Sequence, residues 1–245
     1  MTMLPVRRLL PLALVLLIAC TSRQTPPAQL APDVLYQRGM AAYEAGEYKQ
    51  AAELLDVFVQ RQLGDPRIPT AQMALARAQI ERAEYLLAAG SFQRVVSDFP
   101  ADPLAREARL GLCEAYARLA PKPPLDQEYT RVAVAHCESV STLYPQMPEG
   151  ERARELITEL RGKLATKAFE TGVFYFRRGA YDSAVIYLTD VIDRFPETPV
   201  APAALLKLME SYARIGYEEE EQAARDRLFR DYPESSEARG LRDLG

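Results

Sequence analysis

The sequence predicts an all-α solenoid of about five stacked helix pairs with one long connecting helix, and three observations carry that reading. Hydrophobic residues make up 48% of the chain and charged residues 26%. Alanine, leucine, glutamate and arginine dominate, a composition that favours helix. An aromatic-proline stop then recurs, in Asp98-Phe99-Pro100, Leu143-Tyr144-Pro145, Arg194-Phe195-Pro196 and Asp231-Tyr232-Pro233. Proline lacks the amide donor a helix interior needs, so each motif closes a unit. Small residues also recur at matched places between the stops, where two helix backbones have to approach closely.

The chain opens with MTMLPVRRLLPLALVLLIAC. Arg7 and Arg8 precede an apolar run from Leu9 to Ala19, too short to span a bilayer and matched to a secretory leader. Leu17-Ile18-Ala19-Cys20 has the form of a lipobox, so residues 1–19 are expected to be a lipoprotein signal peptide and Cys20 the lipidated first residue of the mature protein. Several acyl chains, at ~0.8 kcal/mol per buried methylene, hold far more firmly than one. Thr21 follows instead of the aspartate that retains lipoproteins in the inner membrane, which points to the periplasmic face of the outer membrane. Residues 20–33, with Pro26, Pro27 and Pro32, read as an extended tether.

Five pairs follow on a tetratricopeptide-like frame. Gly39, Gly46, Ala51, Leu55 and Phe58 mark the pair at 34–67, whose closing proline position is Leu63. Ala76, Ala83, Ala88, Phe92, Val95 and Pro100 mark 70–103; Cys113, Ala133, Cys137, Val140 and Pro145 mark 105–145. Gly172, Gly179, Ala184, Leu188, Val191 and Pro196 mark 165–198, and a looser set from Ala204 to Pro233 marks 201–235. Each pair leaves an apolar flank that only a neighbour covers. A proline-rich insert at 121–128 interrupts the third pair. Leu156, Leu160 and Leu164 lie at helical spacing and no proline falls between Pro148 and Pro196, so 149–164 is expected to run into the fourth pair as one long helix, with a bend at Gly162. The organisation read from this is repeats one to three over 34–148, then the long helix and repeats four and five over 149–245.

The formal net charge of −4 becomes −6 without Arg7 and Arg8, the leader's two charges. A mildly acidic body with no basic cluster argues against nucleic acid. No phosphate-cradling loop, nucleophile elbow or paired metal-ligand motif occurs, so neither enzyme activity nor a cofactor is expected beyond the lipid on Cys20. The one histidine, His136, reads as structural. Cys113 and Cys137 fall on the two helices of one pair, where they either bond or remain two buried thiols; a bond needs Cα atoms about 5.5–6 Å apart.

The leader, the five pairs, the loop in the third and the long helix together resemble the BamD family of outer-membrane lipoproteins. The most specific stretches are Asp126-Gln-Glu-Tyr-Thr130-Arg-Val-Ala133, Phe174-Tyr-Phe-Arg-Arg-Gly-Ala-Tyr181, and Ser183-Ala184 through Phe195-Pro196-Glu197-Thr198-Pro199. Two departures stand out: Gln62-Leu63-Gly64-Asp65-Pro66 where the family has an aromatic-proline, and Ala83 where it has a turn glycine. The resemblance implies a non-enzymatic subunit of the machine that folds β-barrels into the outer membrane. Its N-terminal repeats would receive the C-terminal signal strand of unfolded outer membrane proteins. Its C-terminal repeats would dock on BamA, the barrel subunit, alongside the other lipoproteins of the complex.

In repeats of this type the first helix of each pair lines a concave groove. Counting along the frame gives Tyr36, Met40 and Tyr43, then Met73, Arg77 and Ile80, then Leu110 and Arg118. That set reads as an apolar-aromatic groove with guanidinium groups, suited to an extended peptide ending in an aromatic residue and a carboxylate, with Arg77 or else Arg118 as the carboxylate receptor. In the fourth pair Phe169, Val173 and Phe176, with Arg177, Arg178 and Arg194, form the expected partner-docking surface. Two other roles fit the fold class: a lipoprotein that pilots a pilus or secretin subunit, and a Tol or cell-division interaction module. Regular repeat spacing would suit the first and a soluble chain with an N-terminal coiled coil the second.

Overall fold

The computed structural model describes residues 26–243. Cys20 and the leader lie outside the described residues. Within them the chain is all helical. The pairs are α1 (Pro32–Glu44) with α2 (Tyr48–Arg61), α3 (Ile68–Glu81) with α4 (Tyr85–Asp98), and α5 (Leu104–Leu119) with α6 (Glu128–Leu143). Then come α7 (Pro148–Arg177) with α8 (Tyr181–Arg194), α9 (Ala201–Ile215) with α10 (Glu218–Asp231), and a short α11 (Ser236–Asp243). Consecutive helices of the five pairs pack side by side throughout, the tetratricopeptide-like arrangement the punctuation predicts.

The aromatic-proline stops work through one backbone conformation. Phe99, Tyr144, Phe195 and Tyr232 cap their helices at φ −130 to −133° and ψ 43 to 52°. Each amide donates to the carbonyl four residues back, Phe99 to Val95 and Phe195 to Val191 for example. The following proline cannot donate and turns the chain toward the next helix. Gln62 caps α2 at φ −120°, ψ 49°, so the first pair takes the same turn with Leu63 in place of proline.

Close approach within pairs rests on small residues. A Cβ on Gly39 would sit 2.8 Å from the Leu55 side chain, and one on Gly172 2.8 Å from Leu188 Cγ. Ala51, Ala76, Ala88, Ala133 and Ala184 are all fully buried at the helix crossings. Cys113 on α5 and Cys137 on α6 form a disulfide with Cα atoms 5.0 Å apart.

The helix α7 runs 30 residues and is unbroken at Gly162. Its first half supplies Ala153, Leu156 and Leu160 to the core shared with α5 and α6. Its second half supplies Ala168, Phe169, Tyr175 and Phe176 to the core with α8 and α9. One helix therefore closes the third repeat and opens the fourth. Two features depart from the sequence reading. The helix α11, beyond the five pairs read from the pattern, packs on α9 with Ala238 fully buried and covers the last pair. Residues 26–31, read as part of an extended tether, contain a 3-10 turn at Pro27–Gln29. Arg61 Nη1 donates to the carbonyls of Ala28 (2.9 Å) and Leu30 (3.5 Å), and Leu30 packs on the first core, so this stretch is fixed to α2.

Candidate protein-binding groove and docking surface

A groove of about 680 Å³ opens on the concave side, walled by α3, α5 and the first half of α7. Five of the residues read from sequence line it: Tyr43, Arg77, Ile80, Leu110 and Arg118. Phe92 reaches its floor from α4 because Gly111 leaves room; a Cβ there would sit 2.5 Å from Phe92 Cζ. The other three residues lie elsewhere. Met73 is 2% exposed, turned into the core between the second and third pairs. Met40 packs on the first core. Tyr36 lies 5.3 Å from the Phe58 ring and carries the Arg67 guanidinium at 4.9 Å.

The groove is not the apolar-aromatic channel expected from α1, α3 and α5 alone. Half of its lining residues are charged, with Arg77, Arg118, Arg152 and Lys163 facing Glu81, Glu107, Glu114 and Glu159. The sequence reading missed the α7 wall, Arg152, Leu156, Glu159 and Lys163. The leucine spacing of that segment signalled a helix but not which side of the solenoid it would cover.

The cations differ in how committed they are. Arg77 is ion-paired with Glu107 across α3 and α5. Partial burial pulls its pKa down, but Glu107 and the Tyr43 hydroxyl more than offset this and the group stays above its usual value. Arg152 pairs with Glu155 at 2.8 Å and Glu114 at 3.3 Å, and Lys163 with Glu159 at 3.1 Å. Arg118, exposed on the last turn of α5, makes no ion pair among the described residues. Of the two arginines read as carboxylate receptors, it is the one whose donors are uncommitted.

In the second half of the molecule Phe169 and Phe176 are half-buried against the α7–α9 core. Phe176 sits under Lys207 Nζ at 4.5 Å and edge-on to Tyr181 at 5.4 Å, and Val173 is half-buried nearby in sequence. The exposed large apolar side chains of α7 and α8 are instead Phe174, Ile186 and Tyr187. Tyr175 joins two of them, edge to Phe174 and stacked on Tyr187, each at 5.4 Å. Arg178 lies 4.5 Å over Phe174, Arg177 is exposed, and Arg194 pairs with Asp190 at 3.2 Å while stacking on Phe195.

Beside this patch the inserted loop folds onto α7, and a second hollow of about 570 Å³ lies between Pro124, Leu125, Lys167, Tyr187 and Arg194. Lys167 Nζ donates to Pro124 O at 2.6 Å. Gln127, almost fully buried, organises the loop: its Nε2 donates to the carbonyls of Lys122, Pro123 and Leu125 while its Oε1 accepts from Thr130. Asp126 accepts from the Glu128 amide at 2.7 Å and starts α6. Among the described residues no group of acidic, histidine or cysteine side chains is arranged to hold a metal. No described helix is long and apolar enough to cross a membrane.

Known proteins similar to this chain include three named outer membrane protein assembly factor BamD. The Rickettsia prowazekii protein is 26% identical over 217 residues, 88% of this chain and 86% of its own. The Caulobacter vibrioides protein is 27% identical over 77% of this chain, a match spanning 62% of its own length. The Vibrio cholerae protein is 23% identical over 84% of this chain and 89% of its own. Among solved structures, the P58(IPK) TPR domain covers 84% of this chain and 53% of its own at 13% identity and a TM-score of 0.46. A thermophilic TPR protein of Thermus thermophilus covers 87% and 98% at 19% identity and a TM-score of 0.37. The family model described as outer membrane lipoprotein, YfiO, matches residues 28–236, nearly every described element, and the chain belongs to that family.

Proposed function

We propose that this protein is a non-enzymatic, lipid-anchored subunit on the periplasmic face of the outer membrane, acting in outer membrane protein assembly. In this reading the concave groove receives the carboxy-terminal signal of unfolded outer membrane proteins. The surface around Phe174, Tyr187 and Arg194 docks a BamA-like barrel subunit, with other lipoproteins of the same complex alongside. The relatives' shared name supports the assembly role. The observation that carries the client site is Arg118, an exposed guanidinium without an ion pair among the described residues, in a groove whose other cations are paired.

The test is a peptide ending in phenylalanine, compared as free acid and as carboxy-terminal amide. Losing a charge-assisted hydrogen bond removes roughly 1.5–3 kcal/mol, so the amide and Arg118→Ala should each weaken binding by about tenfold or more. Equal affinity for acid and amide would overturn the receptor role of Arg118.

A further inference from the structure

We propose that the turn after α2, with Leu63 at its tip, rests on the lipid surface to which the chain is anchored. The inference builds on the reading of Cys20 as lipidated. Leu63 differs in kind from the residue at the matching position of every other pair. In the other four pairs the position after the helix cap is proline, at Pro100, Pro145, Pro196 and Pro233, all exposed. The first pair makes the same turn, with Gln62 at φ −120°, ψ 49°, yet carries a leucine that is 83% exposed, the most exposed large apolar side chain described. At that exposure the side chain contributes little to the protein's own packing, which leaves it free to contact something outside the chain.

The course of the chain toward the anchor places this leucine. Arg61, two residues before Leu63, holds the carbonyls of Ala28 and Leu30, and Leu30 is packed into the first core. The entering chain is thus fixed to the same end of α2 that carries Leu63. From Cys20 to Pro26 the chain spans at most about 22 Å even fully extended, at ~3.3–3.6 Å per residue. A lipidated Cys20 therefore keeps this end of the first pair near the headgroups. A single leucine there adds a weak apolar contact to a strong anchor. It selects which edge of the solenoid faces the bilayer rather than supplying the attachment. Arg61, by fixing residues 28 and 30, sets the stand-off.

The chain contains no tryptophan, so Leu63→Trp introduces a single fluorescent reporter. The full-length lipidated protein is reconstituted in phosphatidylethanolamine–phosphatidylglycerol vesicles, with and without lipids brominated on their acyl chains. Ile186→Trp, at an exposed position on α8, is the comparison. The expected result is a blue shift and bromolipid quenching for Leu63→Trp, neither for Ile186→Trp, and reduced quenching when Arg61→Ala is added. Leu63→Trp protein that floats with the vesicles but is no more quenched than Ile186→Trp overturns the proposal and leaves the anchor intact. Protein that does not float with the vesicles overturns the anchor and the proposal together.

Discussion

Ala83 holds the same left-handed backbone conformation as Gly179, at φ 58° and 74° respectively, in the turn that joins the two helices of a pair. Gly46 and Gly216 take this position in the first and fifth pairs, at 76° and 77°. Ala83 is the only non-glycine residue with positive φ among those described. An L-residue there brings its Cβ against the following carbonyl, at a cost of roughly 1–2 kcal/mol. Glycine relieves that strain but has more freedom to lose on folding. Ala83→Gly should accordingly raise stability by about 0.5–1 kcal/mol, read as a higher denaturant midpoint with an unchanged slope. A lower midpoint would mean that the turn is not strained.

Two glycines of α7 should respond in opposite directions to the same substitution. A Cβ at Gly162 meets nothing within 4 Å, so Gly162→Ala gains helix propensity, about 1 kcal/mol. At Gly172 the added methyl runs into Leu188, which is fully buried and cannot swing aside. Overpacking of this kind costs roughly 1–3 kcal/mol, which should outweigh the propensity gain. Thermal melts of the two variants against the parent chain check the pair, and equal shifts would contradict the packing described for α7 and α8.

The periodic part of the fold was legible because the physics that builds it is local. A proline stop, a small residue at a crossing and an apolar face each leave a mark at one position, and Phe195-Pro196 or Gly172 can be read without knowing their neighbours. The groove was legible only in part. Arg118 and Ile80 project from first helices at countable positions, whereas Arg152, Glu159 and Lys163 reach it only because α7 doubles as a wall. The commitment of Arg77 to Glu107 depends on two residues 30 apart in sequence, and no periodicity encodes it. Arg61, which fixes the entering chain, acts over 33 residues in the same way.

The disulfide spans the proline-rich insert, joining residues 24 apart on α5 and α6. Its main effect is expected in the unfolded chain, where closing a loop of this size removes conformational entropy worth about 3 kcal/mol. Cys113→Ala with Cys137→Ala should lower stability by roughly 2–4 kcal/mol. Reductant should lower the melting temperature of the parent chain and leave that of the double variant unchanged. A reductant effect on the double variant would place the sensitivity elsewhere.

Acid should loosen the first repeat through one carboxylate. Asp65 accepts from the Arg67 amide and pairs with its guanidinium, which also reaches Asp33 and covers Tyr36 and Phe58. Hydrogen bonds from the Arg67 side chain, then from its amide, pull the Asp65 pKa from 3.8 down to about 2. Because the folded value is depressed, the unfolded chain binds more protons between these two values, so stability falls as pH drops. The contribution is complete above about pH 4 and lost as the pH falls through about 2. Asp65→Asn should remove this part of the acid dependence while lowering stability at neutral pH. Denaturant titrations of both proteins from pH 6 to about 2 measure it. Parallel pH profiles for the two would show that Asp65 is not held by Arg67 in solution.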